Sequence, residues 1–246
     1  FVDGKYWPAM EAYNKVIDSK TADVDYALYQ KAISYGFVGR TDTKIQDLNK
    51  FITSYPQSSY ADDALYELGN TYANENKNSE AITAFNKLIT TYPSSSYVSK
   101  AMLRQGLIYY NGKDNTKALE RYKKVVAEYP GSPDAVEAVQ SARLIYVDSG
   151  NTAEFAAWVK NLDFVDISNT DLDNDSFEAA EKQFVQNNNK QAISGFNEYL
   201  KTYPTGLNAL KAHFNLGELY VSDNQNKNAI PHYEFVLSKS QSEYTE

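Results

Sequence analysis

The sequence predicts an all-α fold, a solenoid of helix-turn-helix units with a 37-residue period, and three observations carry that expectation. The pair Tyr-Pro recurs at Tyr55-Pro56, Tyr92-Pro93, Tyr129-Pro130 and Tyr203-Pro204, every 37 residues with one mark missing before the last. Within a period, two short runs place apolar residues at helical spacing: Leu65, Leu68, Gly69 and Tyr72, then Ala81, Phe85 and Leu88. A polar break from Asn74 to Asn78 separates the runs, as a turn would. One such hairpin cannot bury its own apolar face, so the units must stack on one another.

Residues 1–24 read as the second helix of a preceding unit, because Tyr6, Ala9, Tyr13 and Val16 have the spacing of Asn78, Ala81, Phe85 and Leu88. Six units follow, at 25–61, 62–98, 99–135, 136–172, 173–209 and 210–246. Their first helices share a small residue (Ala32, Gly69, Gly106, Ala180, Gly217) and, three positions on, a tyrosine (Tyr35, Tyr72, Tyr109, Tyr146, Tyr220). Arg143 and Gln183 are the departures. Their second helices share Ala81, Ala118, Ala192 and Ala229, with Lys44 and Phe155 in the remaining units. A large residue four positions later, Phe85, Tyr122, Phe196 or Tyr233, is expected to fill the space that the small column opens.

The helix ends follow the same register. Thr41, Asn78, Asn115, Thr152, Asn189 and Asn226 stand before each second helix, where their side-chain oxygens are expected to cap the first turn. Ser132-Pro133 offers a cap followed by proline at the first helical position, and Asp175 to Glu178 reads as a capping box. Each Tyr-Pro closes a second helix, since proline cannot continue the ladder and restricts the residue before it. The fourth unit is the most divergent, with Arg143, Phe155 and Asp166-Ile167 in place of Tyr-Pro, so a looser joint is expected near residues 163–175.

Leu65, Leu68-Gly69, Tyr72, Ala81, Phe85 and Pro93 together resemble the tetratricopeptide repeat, whose unit usually has about 34 residues. Here three more residues lie between a proline and the next helix. The resemblance runs over the whole chain and implies a right-handed α-α superhelix that binds a protein or peptide in a concave groove. The Tyr-Pro-x-Ser-x-Tyr run at Tyr55 to Tyr60 and Tyr92 to Tyr97 resembles the envelope branch of that family, which includes the Tol-Pal periplasmic repeat protein and outer-membrane assembly lipoproteins. That branch implies a bacterial periplasm or the periphery of an outer membrane.

Carried over column by column, the groove positions give Tyr29, Tyr66, Asn70, Leu103, Leu107, Tyr110, Phe177 and Phe214 as candidate partner-binding residues. Rigid aromatics among them suit the anchoring of an amphipathic peptide. The basic pair with which some tetratricopeptide proteins hold a terminal carboxylate is not evident, because its columns offer Tyr66, Asn70 and Leu103.

Composition narrows the function classes. The net charge is −8, with acidic and basic residues interspersed, which argues against nucleic acid as partner. Cysteine is absent, so disulfides, cysteine metal sites and thiol catalysis are excluded. No apolar run reaches the ~18 residues of a membrane span. The chain begins at Phe1 with no signal pattern, which reads as a processed or excised piece.

No catalytic, metal or cofactor site is expected. His213 and His232 fall in the core columns of Leu65 and Ala84, and so read as packed side chains. Asp171, Asp173 and Asp175 resemble the start of a calcium loop, but Ser176 and Lys182 stand where its glycine and bidentate glutamate belong. The expected function is therefore a non-catalytic protein-interaction scaffold. Self-association through an end of the array is one alternative. Carbohydrate binding or processing, with Glu137, Glu181 and Glu218 as the nearest acids, is another.

Overall fold

The computed structural model describes residues 6–20, 22–239 and 244. Among them are thirteen α-helices and no strand. A leading helix, α1 (Tyr6–Ser19), packs on α2 (Val24–Phe37), which pairs with α3 (Thr41–Ser54). The hairpins α4 (Ala61–Asn74) with α5 (Asn78–Thr91) and α6 (Val98–Asn111) with α7 (Asn115–Glu128) follow. Then come α8 (Pro133–Ser149), the short α9 (Thr152–Val159), and the hairpins α10 (Asn169–Val185) with α11 (Asn189–Thr202) and α12 (Ala209–Ser222) with α13 (Asn226–Leu237). The chain forms two compact units, residues 1–138 and 139–246, and the division falls within α8.

Three hairpins close by fitting a ring into a gap left by a glycine. A Cβ added at Gly69 would lie 2.5 Å from Phe85 Cε1, and one at Gly106 would lie 2.4 Å from Tyr122 Cε1. In the second unit a Cβ at Gly217 would lie 2.6 Å from Tyr233 Cε1. Glycine costs a helix ~1 kcal/mol relative to alanine. Full burial of a ring such as Phe85 stabilises by ~1.5–3 kcal/mol, so packing decides the residue. In α10 and α11 the roles shift: Gly195 sits against Ala180, where an added Cβ would approach Ala180 Cβ to 2.9 Å.

The turn inside each hairpin rests on a column that the sequence reading passed over. Gly39, Asn76, Lys113, Gly150, Asn187 and Asn224 all have positive φ, between 58° and 75°. That left-handed residue lets the next amide bond back across the end of the first helix, as Lys77 N–H does to Tyr72 O at 2.9 Å. Glycine adopts this conformation without penalty and asparagine more readily than most residues. Lys113 is the costly member.

The expected capping column is corrected. Thr41, Asn78, Asn115, Thr152, Asn189 and Asn226 are the first helical residues of their helices, one position inside the cap. The residues at the cap are Arg40, Lys77, Asp114, Asn151, Asn188 and Gln225, and only Asp114 uses its side chain, accepting from Lys117 N–H. The first helical backbone bond runs from the cap residue, as from Lys77 O to Ala81 N–H at 3.0 Å. The capping box is displaced as well. Ser168 and Asp171 form it at the start of α10, and Asp175 lies inside that helix. Ser132 does cap α8, accepting from Ala135 N–H at 3.1 Å.

Polar bonds recur at fixed register, within repeats and between them. Within a repeat, Ser58 Oγ donates to Asp25 and Ser95 Oγ to Asp62, both at 2.6 Å, tying the closing loop back to that repeat's own first helix. Asn49 Nδ2 donates to Tyr72 OH in one unit and Asn197 Nδ2 to Tyr220 OH in the other. At Asp173 the serine column holds Gly206, and the carboxylate is met by Tyr199 OH (2.6 Å) and Leu207 N–H (2.8 Å). Tyr199 stands in the column of Leu88, so its phenol reaches the place a serine hydroxyl would take. A Cβ at Gly206 would fall 2.6 Å from that phenol oxygen.

The divergent fourth repeat has its own chemistry. Arg143, in the small-residue column, donates two hydrogen bonds to Asp175 at 2.7 and 2.9 Å. Tyr146 OH donates to Glu154 at 2.8 Å. Helix α9 has only 8 residues, and the chain from Lys160 to Ser168 is non-helical before α10 begins. The three aspartates that suggested a calcium loop lie along α10, each with a separate role: Asp171 in the capping box, Asp173 on Tyr199 and Leu207, Asp175 on Arg143.

Candidate functional site

The column of first-helix aromatics does not form an open row of anchors, and the expectation for three residues is corrected. Tyr29, Leu103 and Phe177 are buried, at 6%, 9% and 5% exposure. The reason is packing within each repeat: the tyrosine of the loop that closes the repeat lies on the ring of its first helix. Tyr60 stacks on Tyr29 with centroids 5.5 Å apart, and Tyr97 on Tyr66 at 4.8 Å. Lys211 covers Phe177 with its ammonium 5.4 Å from the ring centre, and Tyr244 packs on Phe214 at 4.9 Å. Tyr66 and Phe214 are therefore half-buried, as are Asn70 and Tyr110. Of the eight candidates only Leu107 is exposed.

Asp63 sits between two of these tyrosines, hydrogen-bonded to Tyr29 and Tyr97. Burial raises its carboxyl above the usual range against those bonds. Burial, then Asp63 itself, pushes Tyr97 up to about 12, and Tyr29 rises further for the same two causes.

Among the clefts of the first unit, two adjoin. One, of about 390 Å³, runs between α2 and α4 and is bordered by Ile33, Phe37 and Tyr29. The other, of about 440 Å³, runs between α4 and α6 and is bordered by Asn70, Arg104 and Leu107. Lys44, Glu67, Thr71 and Asn74 line both, so the two clefts share a floor. The floor is an ion pair, Lys44 Nζ to Glu67 Oε2 at 2.8 Å, with the lysine largely shielded from water. Around it stand the amides of Asn70, Asn74, Asn78 and Asn111, and the Arg104 side chain, which has no carboxylate partner among the described residues. Phe37 and Leu107 contribute exposed apolar surface.

Of the predicted residues, the structure brings Asn70 and Leu107 into one cleft and Tyr29 to the edge of the other. Tyr66, Leu103 and Tyr110 line neither, and Phe177 and Phe214 belong to the second unit. Lys44, Glu67, Phe37 and Arg104 were missed. Lys44 carried a signal, since it breaks the alanine column of the second helices. The arrangement offers main-chain-directed amides, one cation and apolar edges, which suits the capture of an extended polypeptide.

Two of the three acids considered for glycan chemistry are engaged elsewhere. Glu181 pairs with Lys211 at 2.6 Å and Glu218 accepts from Tyr233 OH at 2.6 Å. His213 and His232, expected as packed side chains, are half-buried and meet, Nδ1 to Nδ1, at 2.9 Å.

Comparison with known proteins agrees with this architecture. The family model described as tetratricopeptide repeat matches residues 26–58, and one described as outer membrane lipoprotein matches residues 63–154. No curated protein matches the sequence. Among solved structures the chain is similar to MamA, with 23% identity, 76% of this chain and 94% of that chain covered, and a TM-score of 0.52. It is also similar to the C-terminal part of a repeat-containing protein from Cytophaga hutchinsonii (15% identity, 97% and 92% covered, TM-score 0.54). A third similarity is to a chain in the Naa15/Naa10 complex bound to HypK-THB (15% identity, TM-score 0.60), where 98% of this chain but only 36% of that one is covered. At these identities the likeness is one of fold.

Proposed function

From a chain built of tetratricopeptide repeats, we propose that the joined clefts of the first unit hold an extended segment of a protein partner, with no chemistry performed on it. The repeat is a protein-interaction fold, and no enzymatic family is indicated by the matches. The observation that carries the proposal is the shared floor of Lys44, Glu67, Thr71 and Asn74 beneath two clefts with exposed apolar edges. Asn70 and Leu107 are the partner-binding residues retained from the sequence, with Tyr66 and Tyr110 as half-buried residues of the same unit. A role in a bacterial envelope assembly is supported by the outer-membrane lipoprotein model over residues 63–154.

The test is a photo-crosslinking residue at position 107 in the intact chain, with the captured protein identified and its affinity measured. Leu107→Ser and Arg104→Glu should each weaken binding by ~1–3 kcal/mol, with melting temperature unchanged. Wild-type affinity in both variants would overturn the assignment of the cleft.

A second reading, self-association, is favoured by one helix. Ile230 and Leu237 of α13 are exposed, whereas Ile193 and Leu200, in the same columns of α11, are half-buried. Light scattering across a concentration series checks it: a mass that does not change with concentration removes this reading.

A further inference from the structure

The chain has two histidines, and they touch each other. His213 on α12 and His232 on α13 approach Nδ1 to Nδ1 at 2.9 Å. In the equivalent hairpins the same two columns hold Leu28 and Asp47, Leu65 and Ala84, Met102 and Arg121, Val139 and Trp158, and Ser176 and Gly195. The fold therefore does not require two imidazoles there, and most pairings avoid burying a polar contact. The rings are also fixed from behind. His213 stacks on Phe235 with centroids 3.8 Å apart and planes 18° apart, and His232 stacks on Tyr220 at 5.6 Å and 19°.

We propose that His213 and His232 form a two-imidazole site for a divalent transition-metal ion, of the kind that takes square or octahedral nitrogen ligation, Cu(II) foremost. Imidazole-metal bonds of ~2.0–2.1 Å at a right angle place the two nitrogens about 2.9 Å apart, whereas a tetrahedral centre needs about 3.3 Å. The spacing already present is that of one edge of a square. Burial keeps both rings neutral, the form that ligates. In the metal-free pair one ring donates its Nδ1 proton to the other. Ligation by both Nδ1 atoms moves that proton to Nε2 of the same ring, so the site loads without net proton release. No group of three or more His, Cys, Asp or Glu lies together among the described residues, so water completes the coordination. Both rings are half-exposed, which leaves room for it.

The test uses the untagged full chain with a copper(II) salt in a non-chelating buffer, followed by calorimetric titration and by the paramagnetic resonance signal of nitrogen-ligated copper. His213→Leu and His232→Ala install the residues that the hairpin of Leu65 and Ala84 carries, so both variants should keep the fold. The expected result is one equivalent bound by the wild type, a raised melting temperature, and at least tenfold weaker binding with no thermal shift in either variant. Binding of one equivalent with unchanged affinity in both variants would overturn the proposal, as would a wild type that shows no nitrogen hyperfine coupling. A variant that unfolds is replaced by His232→Gln, judged by the same resonance signal.

Discussion

At the scale of single residues, two columns decide hairpin stability for opposite reasons. Lys113 is held at φ 63° in a turn where three of the other five repeats use asparagine, at Asn76, Asn187 and Asn224, and two use glycine, at Gly39 and Gly150. Lys113→Gly should therefore raise stability by ~1 kcal/mol in a denaturant titration, because the left-handed conformation is strained for an ordinary side chain. Gly106 presents the reverse case. Its Cβ would enter the Tyr122 ring, which is fully buried, so Gly106→Val should destabilise by ~1–3 kcal/mol or more, read in the same titration. The small-residue column was legible in the sequence because sterics restrict it to glycine and alanine. The turn column was less so, because Asn, Lys and Gly share no hydropathy, and only their backbone angle unites them.

At the scale of elements, what sequence periodicity conveys is which faces pack, not how ends are finished. The Asn and Thr column marked the start of each second helix within one residue, but those residues stand one position inside the cap and the asparagine oxygens are not the acceptors. The groove reading failed in a similar way. Tyr29 and Phe177 looked like anchors because first-helix positions can face a concave surface, and only the placement of Tyr60 in the closing loop and of Lys211 in the next repeat shows that they are covered. Helix α8 shows how a departure is made good: Arg143 breaks the small column and in return pairs with a nearly buried Asp175 on α10. Arg143→Ala should cost ~3–5 kcal/mol, since it strands a carboxylate shielded from water. Faster amide exchange in the first half of α10 would be the local sign, and protection equal to the wild type would show that Asp175 finds another partner.

For the molecule as a whole, 21 tyrosines among 246 residues make alkaline pH an informative probe. Tyr97 and Tyr233 are both pushed up to about 12, chiefly by burial and then by the carboxylates of Asp63 and Glu218. The unfolded chain ionises these phenols near 10, so their contribution to stability is complete below that pH and is lost as pH rises toward 12. Denaturation midpoints should fall over that window, and Tyr97→Phe should make the fall shallower; an identical profile would mean that Asp63 does not hold the phenol. The polar joints of the closing loops carry a further consequence for anyone who would rearrange this chain. A loop serine answers an aspartate of its own repeat at Asp25 and Asp62, but at Asp173 the answer comes from Tyr199 with Gly206 kept bare to admit it. Gly206→Ser alone collides with the phenol, and Tyr199→Leu alone removes a partner of a buried carboxylate, while the two changes together write the joint in the form used at Asp62. Each of these joints closes within one repeat, so these bonds survive shuffling when the splice falls after the loop, at a boundary such as 61/62, and not at the Tyr-Pro that lies between the aspartate and its loop partner.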